Sequence, residues 1–258
     1  MNTDGLPACL GSRLRRYTQR RVSIGESRAA VFELSSPGEK RLFLKSQRRE
    51  ALFTLEGEAE RLRWLQGRAP VPVLVDFVAD QTHDHLLVEA LPGEDAATAS
   101  LSSESLVALL ADALRELHAI DITACPFRHM AEDLISRASA ILAAGQVDEG
   151  NFDPGNIGRP PSEIFAEMLA GRPVSEDQAF THGDFCLPNV IIHDKRLSGY
   201  IDLGSAGIGD PYRDLALVGR SLNRNLGPGW MEAFFARYGL AEPDPDKLRY
   251  YRLLDEFF

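Results

Sequence analysis

The sequence predicts an α+β fold in two lobes, a small β-rich N-terminal lobe and a larger, mainly helical C-terminal lobe. Alternating apolar and polar residues, typical of strands, are concentrated in the first third of the chain. Helical periodicity dominates the remainder. Between the two patterns lies the turn-forming triplet Leu91-Pro92-Gly93. We therefore place the N-terminal lobe at 1–91 and the C-terminal lobe at 92–258.

Four strands and one helix are predicted in the first lobe. The first two strands are separated by Pro37-Gly38, a hairpin signal between two apolar runs. The helix has leucine or alanine at a helical period and is closed by Gly67. The predicted strands are 29–34, 41–45, 73–78 and 86–89, and the predicted helix is 51–66.

Six helices and one hairpin are predicted in the second lobe. Leucines from Leu106 to Leu117 recur with a helical period just before His118. The hairpin consists of the apolar run 190–192, a polar turn, and the strand 198–201. The further helical patterns cover 131–144, 162–169, 212–222, 230–238 and 246–258.

The composition of the chain excludes some classes of protein and binding partner. Its 258 residues are 44% hydrophobic, which is enough for an ample core, and its formal net charge of −10 disfavours nucleic acid as a partner. Three widely spaced cysteines, Cys9, Cys125 and Cys186, predict free thiols. Neither a signal peptide nor an apolar stretch of membrane-spanning length is recognisable, so we expect a cytoplasmic protein without a membrane partner.

The most informative part of the chain is the HGD segment, residues 182–189, together with a later Ile-Asp-Leu-Gly. Asp184 and Asn189 lie in the HGD segment, and Asp202 follows on a separate strand. Magnesium prefers hard oxygen ligands, which Asn189 and Asp202 would supply. A second carboxylate, Asp184, would then orient an acceptor hydroxyl and take its proton. The order of these parts is that of the catalytic segment of protein kinases.

The first lobe contains residues that suit a nucleotide. Lys45 ends an apolar strand, where its ammonium group would neutralise phosphates. Glu56, Glu58 and Glu60 of the following helix compete as its partner, and Glu58 is the preferred one. Phe43 lies on the same face as Lys45 and either stacks on adenine or belongs to the core. The loop that would cover the phosphates has one glycine, and Ser27 is its candidate contact.

Nearly the whole chain resembles the aminoglycoside 3'-phosphotransferases, which have a protein-kinase-like fold. The resemblance rests on Lys45, the helix around Glu58, the residues 181–189, Ile201-Asp202-Leu203-Gly204, and above all the ending Leu253-Leu254-Asp255-Glu256-Phe257-Phe258. It implies ATP-dependent phosphorylation of the 3'-hydroxyl of aminoglycosides, which confers antibiotic resistance. ATP and Mg²⁺ are the implied cofactors.

The resemblance also implies a role for individual residues. Asp184 is the catalytic base, Asn189 and Asp202 bind Mg²⁺, and Lys45 with Glu58 orients the phosphates. The nucleotide contacts are Ser27, Phe43, Lys45, Glu58 and the backbone of Glu89 and Leu91. The substrate contacts are Asp153, Asp184, Asp255, Glu256 and the terminal carboxylate of Phe258. A polycationic sugar suits several carboxylates, and we expect a monomer or weak dimer.

The chain departs from its relatives at Ser205, where they commonly have arginine, and at Ser221 and Arg224, where they often present acids. Two alternatives remain open. One is a related kinase that acts on another sugar or amino alcohol. The other is a degenerate nucleotide-binding module. Loss of Lys45 or of the metal-binding and catalytic residues would indicate such a module, and all of these residues are present.

Overall fold

The computed structural model describes residues 6–22, 29–50 and 52–258. They form two compact units. The first contains the described residues up to Gly93 together with Ser198–Gly204, and the second contains Glu94–Leu197 and Ser205–Phe258. The division predicted from the sequence, 1–91 and 92–258, did not foresee that residues 198–204 belong with the first unit.

Strands predominate in the first unit and helices in the second. The helices are α1 (Ala8–Leu14), α2 (Glu56–Leu65), α3 (Ser103–His118), α4 (Ala131–Ala143), α5 (Pro161–Ala170), α6 (Tyr212–Leu226), α7 (Met231–Tyr238) and α8 (Pro245–Asp255). The strands are β1 (Thr18–Val22), β2 (Ala30–Ser35), β3 (Leu42–Arg48), β4 (Leu74–Ala79), β5 (His83–Glu89), β6 (Glu94–Asp95), β7 (Ala179–Thr181), β8 (Val190–His193), β9 (Arg196–Tyr200) and β10 (Gly207–Gly209).

The first unit is built on an antiparallel sheet with the strand order β1-β2-β3-β5-β4. Successive side chains of a strand point to opposite faces. On β3, Leu42 and Leu44 therefore face one side, where they join a buried cluster with Leu10 and Leu14 of α1. Phe43 and Lys45 face the other side of the sheet, so they lie outside this cluster and can contribute to a binding site.

The second unit is mainly helical. Helix α3 packs against α7, and α6 and α5 each pack against α8. The apolar face of α3 is buried along its whole length, from Leu106 to Leu117. Short strands lie beside these helices: β7 pairs antiparallel with β10, and β6 pairs antiparallel with β8. The HGD segment connects β7 to β8 and ends in a single 3₁₀ turn, Leu187–Asn189.

The α+β class predicted from the sequence is confirmed, with corrections at the ends of two helices. Helix α2 begins at Glu56 rather than at residue 51 because the chain first forms an irregular turn, in which the Thr54 hydroxyl accepts the amide of Glu56. Helix α8 ends at Asp255, before the last aromatic residues. Helix α1 and the very short strands β6, β7 and β10 were not among the predicted elements, because each is too brief to show a period. Strand β1 was not among them either, because four of its five residues are polar.

Candidate active site

Lys45 and Glu58 form a buried ion pair in the first unit. Lys45 lies on β3, and its Nζ is 2.6 Å and 2.9 Å from the two carboxylate oxygens of Glu58 on α2. The side chains are only 15% and 9% exposed, so solvent screens the pair weakly. The structure thus brings together the lysine and the glutamate that the sequence predicted as partners, and it selects Glu58 over Glu56 and Glu60.

Asp202 provides a second carboxylate for the same ammonium group. Its Oδ1 accepts a hydrogen bond from Lys45 Nζ, and its side chain is 41% exposed. The backbone of Asp202 has φ +59°, a left-handed conformation that is uncommon outside glycine. Such a conformation persists where its surroundings hold it, and it is enriched at functional sites.

The charge of Lys45 is stabilised by these two acids. Burial by itself lowers the pKa of a lysine, because the charged form loses water. Here the negative charges of Asp202 and Glu58 outweigh burial, and the pKa of Lys45 rises above its ordinary value. Lys45 is therefore a fixed cation with two carboxylate neighbours.

In the second unit, Asp184 and Asn189 contact each other across the HGD segment. Asn189 Nδ2 donates to the backbone oxygen of Asp184 at 3.0 Å and to its Oδ2 at 2.8 Å. Pro188 lies in the 3₁₀ turn that brings the two residues together. Both of these hydrogen bonds use the amide nitrogen of Asn189, which leaves its amide oxygen as the group suited to a hard cation.

Gly183 allows this segment to pass close to the chain after Asp202. Its φ is +81°, and a Cβ at this position would lie 2.1 Å from the backbone oxygen of Ser205. No L-amino acid side chain fits at that distance. The Ser205 oxygen that faces Gly183 also accepts a hydrogen bond from Arg213 Nη1 at 3.4 Å.

The predicted substrate-binding acids cluster around Arg220 of α6. Arg220 Nη2 is 2.6 Å from Asp255 Oδ2, and its Nη1 is 3.4 Å from Asp153 Oδ1. Burial raises the pKa of Asp255, and the charge of Arg220 opposes that rise. The sequence analysis missed Arg220, because its pairing with Asp153 and Asp255 depends on contacts between residues far apart in sequence.

Glu256 holds the loop that presents Asp153. Its two carboxylate oxygens lie 3.2 Å and 3.1 Å from the backbone nitrogen of Asp153, and Oε1 also accepts from Asn156 Nδ2 at 2.5 Å. Phe258 lies beside two cations, because Arg137 and Arg213 approach its ring at 5.0 Å and 6.0 Å. Asp153, Asp255 and Glu256 are therefore linked to one another through Arg220 and the Asp153 backbone. The carboxylate of Glu256, however, is already used as the acceptor of the backbone amide of Asp153.

The remaining predicted nucleotide contacts lie on the strands of the first unit. Phe43 is half-buried on β3, with the guanidinium of Arg41 5.9 Å from its ring centre. The backbone N–H of Glu89 donates to Val73 at 2.9 Å, and the carbonyl of Leu91 accepts from Arg41 at 3.1 Å. The Glu89 carbonyl and the Leu91 N–H take part in neither of these two hydrogen bonds. Ser27 lies outside the described residues.

Three further features concern binding and membranes. In the described part of the chain, no cluster of three or more His, Cys, Asp or Glu side chains is arranged for a metal ion. Ser221 is buried, and its hydroxyl accepts a hydrogen bond from the amide of Leu187 at 3.0 Å. Among the described helices, none combines the length and the apolar character that crossing a membrane requires.

Comparison with known proteins identifies the family. The model of the phosphotransferase enzyme family matches residues 18–251. An aminoglycoside 3'-phosphotransferase from Niallia circulans is 41% identical over 212 residues, which cover 80% of this chain and 79% of that protein. This chain belongs to the phosphotransferase enzyme family. The resemblance inferred from the sequence is confirmed, and so is the enzyme class.

Solved structures place this phosphotransferase in the same fold. The crystal structure of an aminoglycoside 3'-phosphotransferase of type VIII superposes with a TM-score of 0.87 and 35% identity, covering 97% of both chains. The enzyme APH(3'')-Id from Streptomyces rimosus, solved with ADP and streptomycin, has a TM-score of 0.84 and 27% identity and covers 100% of this chain and 98% of its own. The kinase-like fold predicted for the phosphotransferase is therefore confirmed.

Proposed function

We propose that this phosphotransferase transfers the γ-phosphate of ATP to the 3'-hydroxyl of aminoglycoside antibiotics and thereby confers resistance to them. The observation that carries the proposal is the buried Lys45–Glu58 pair with Asp202 beside it, on a chain 41% identical to an aminoglycoside 3'-phosphotransferase. The pair is the phosphate-orienting element of kinases. The acids around Arg220 suit a polycationic acceptor.

The nucleotide is assigned to side chains and backbone groups of the first unit. Lys45 would neutralise the phosphates, and Glu58 would hold its ammonium in place. Phe43 would stack on adenine. The Glu89 carbonyl would accept a hydrogen bond from the adenine amino group, and the Leu91 N–H would donate one to a ring nitrogen. The Glu89 N–H and the Leu91 carbonyl are already used in other hydrogen bonds. Ser27 remains a predicted phosphate contact. The complex of APH(3'')-Id with ADP supports this choice of nucleotide.

Asp184 would accept the proton of the attacking hydroxyl. As the bond between the γ-phosphorus and the ADP oxygen breaks, the 3'-oxygen bonds to phosphorus, and the hydroxyl proton passes to the Asp184 carboxylate. The hydrogen bond from Asn189 at 2.8 Å fixes that carboxylate. Lys45 would stabilise charge on the phosphates, so most of the rate enhancement would come from orientation and electrostatics.

Asn189 and Asp202 are the proposed ligands of Mg²⁺. An amide oxygen and a carboxylate are hard donors, and Mg²⁺ completes its coordination with water and phosphate oxygens, so two such residues fit. The hydrogen bonds of Asn189 through Nδ2 agree with an oxygen directed to a cation. When bound, Mg²⁺ would neutralise the charge on the β- and γ-phosphates.

The aminoglycoside would be recognised by carboxylates of the second unit. Asp153 and Asp255 would share their charge between Arg220 and the ammonium groups of the substrate, and Phe258 remains a predicted substrate contact. Glu256 would act mainly by fixing the loop that carries Asp153. Each charge-assisted hydrogen bond of this kind is worth about 1.5 to 3 kcal/mol. A cytoplasmic location and a monomer or weak dimer remain predictions.

A second candidate is phosphorylation of the 3''-hydroxyl of streptomycin, which the similarity to APH(3'')-Id favours. Consumption of ATP in a coupled assay separates the two functions. We expect turnover with kanamycin and neomycin, and none with a 3'-deoxy aminoglycoside or with streptomycin. Equal turnover of the 3'-deoxy compound would refute 3'-phosphorylation, and turnover of streptomycin alone would favour the second candidate. ATP consumption without any of these acceptors would indicate another alcohol.

A further inference from the structure

Asp84 of β5 is a buried carboxylate that binds the start of helix α2. Its side chain is 2% exposed. Its Oδ2 accepts hydrogen bonds from the Thr54 hydroxyl at 2.7 Å and from the backbone amide of Leu55 at 3.3 Å. Its Oδ1 lies 3.3 Å from Nε of Arg49, which directly follows β3. One carboxylate therefore joins the start of α2 to the end of β3.

Helix α2 uses this carboxylate because its own N-cap residue supplies no acceptor. The first N–H groups of an α-helix have no partner within the helix, and a capping side chain usually accepts one of them. The N-cap of α2 is Leu55, whose side chain makes no such hydrogen bond. The Thr54 hydroxyl accepts the amide of Glu56 at 3.1 Å instead, and it donates its own proton to Asp84. Asp84 and Thr54 together therefore cap the helix.

Glu58 lies in the first turn of α2, directly after these contacts. Its partner in the buried ion pair, Lys45, lies on β3 opposite Leu86 of β5, two residues along the strand from Asp84. The backbone hydrogen bonds between β3 and β5 fix the position of Lys45, and Asp84 fixes the turn of helix that carries Glu58. Both partners of the ion pair are thus held from the same strand.

We propose that Asp84 is a positioning residue for Glu58, and that the Thr54 hydroxyl transmits its effect to the first turn of α2. The proposal rests on the proposed function, in which Glu58 holds the ammonium group of Lys45 in place for the phosphates of ATP. Asp84 acts on Glu58 through the backbone of the helix. A displacement of about 1 Å in a group that positions the substrate can cost about 100-fold in rate.

The first test is Asp84→Asn, which keeps the shape of the side chain. Whichever way the new amide is turned, its NH₂ group faces a donor, either Arg49 Nε or the backbone N–H of Leu55. We expect kcat/KM for ATP, measured with kanamycin as the acceptor, to fall about 100-fold. Hydrogen exchange of the peptide amides of 55–59, followed by mass spectrometry, should become faster.

Thr54 allows a milder test, because it is exposed and can be changed without disturbing the core. Thr54→Val keeps the size of the side chain and removes the hydroxyl, so it should lower kcat/KM for ATP about tenfold. Thr54→Ser retains the hydroxyl, and serine caps helices as well as threonine does. This conservative variant should therefore keep kcat/KM for ATP within about twofold of wild type.

A double-mutant cycle with Glu58→Gln separates positioning from a general loss of structure. Glu58→Gln removes the ion pair, so in that background there is no paired carboxylate left to position. Thr54→Val should then cause no further loss of kcat/KM for ATP. A loss caused by general destabilisation would be the same in both backgrounds.

Asp80→Asn is the matched control. Asp80 lies in the turn between β4 and β5 and also accepts two backbone amides, those of Thr82 at 2.7 Å and His83 at 2.8 Å. Both of these amides lie outside α2. We expect this variant to lower stability and to leave kcat/KM for ATP and the exchange at 55–59 unchanged.

Equal kcat/KM for Thr54→Val and Thr54→Ser would overturn the proposal. So would an equal loss from Thr54→Val with and without Glu58, a loss in Asp80→Asn as large as in Asp84→Asn, or unchanged exchange at 55–59. If Asp84→Asn does not fold, the two Thr54 variants decide. If the wild-type protein phosphorylates no aminoglycoside, the proposed function fails, while the exchange measurement still tests the anchoring of α2.

Discussion

Replacing Lys45 by methionine removes the cation that stabilises two carboxylates in the first unit. Asp202 is 41% exposed on its side chain and regains water when Lys45 is lost, whereas Glu58 is 9% exposed and does not. The cost therefore comes mainly from Glu58. Removing one partner of a buried ion pair costs about 3 to 5 kcal/mol, and we expect Lys45→Met to lose about 3 kcal/mol of unfolding free energy. Phosphoryl transfer should also be lost.

The pH dependence of this variant gives a second check. Burial holds the pKa of Glu58 above its ordinary value even beside Lys45, and removing Lys45 takes away the charge that opposes this rise. In the variant, the folded protein therefore binds a proton on Glu58 more tightly than the unfolded chain does. Stability relative to wild type is then greatest below the ordinary pKa of a glutamate. It falls as the pH rises through that value to the raised pKa. The deficit of Lys45→Met should be smaller at low pH than at high pH.

Urea unfolding followed by circular dichroism measures both effects. The double variant Lys45→Met/Glu58→Gln should recover most of the lost free energy, because it leaves no buried charge. Lys40→Met is the matched control: Lys40 pairs with Glu89 at 2.7 Å, but its side chain is 73% exposed, so the change should cost no more than about 1 kcal/mol. Equal losses for Lys45→Met and Lys40→Met would refute this reasoning. A double variant less stable than Lys45→Met would do so too.

Three further predictions concern the second unit. Gly183→Ala places a Cβ 2.1 Å from the backbone oxygen of Ser205, so we expect kcat to fall about 100-fold in steady-state assays. Full activity would contradict the close approach of Gly183 to the Ser205 backbone. Glu256→Gln removes the charged acceptor of the Asp153 amide, so KM for kanamycin should rise about tenfold while KM for ATP stays constant; a change in the ATP constant instead would argue against this role. Asp184→Asn should lower kcat about 10³-fold and retain MgATP binding by calorimetry, and a variant that keeps turnover would exclude Asp184 as the base.

Much of the fold could be predicted because its elements carry strong local patterns. The alternation in β3 predicted that Phe43 and Lys45 share a face, and the leucine period predicted α3. Helix α1 was not predicted because its pattern spans only seven residues, Ala8–Leu14. The sequence also did not indicate that residues 198–204 belong to the first unit, because this depends on contacts between residues far apart in sequence.

The candidate site was predicted best where a motif fixes both residue type and spacing. The pairing of Lys45 with Glu58 was predicted in this way, whereas the HGD motif gave Asp184 and Asn189 their roles but did not predict the hydrogen bond between them. Arg220 was not found, because it reaches Asp153 and Asp255 through tertiary contacts that no short motif records. The occupation of Glu256 by the amide of Asp153 was also not foreseen, since the two residues lie far apart in sequence.

The position of the transferred phosphate tests the central claim most directly. Kanamycin should be incubated with the purified protein, ATP and Mg²⁺, and the product examined by phosphorus–proton correlation NMR. We predict a single correlation from phosphorus to the proton on carbon 3', and no product with Asp184→Asn. A phosphate at any other hydroxyl, or no phosphorylated kanamycin, would contradict the account.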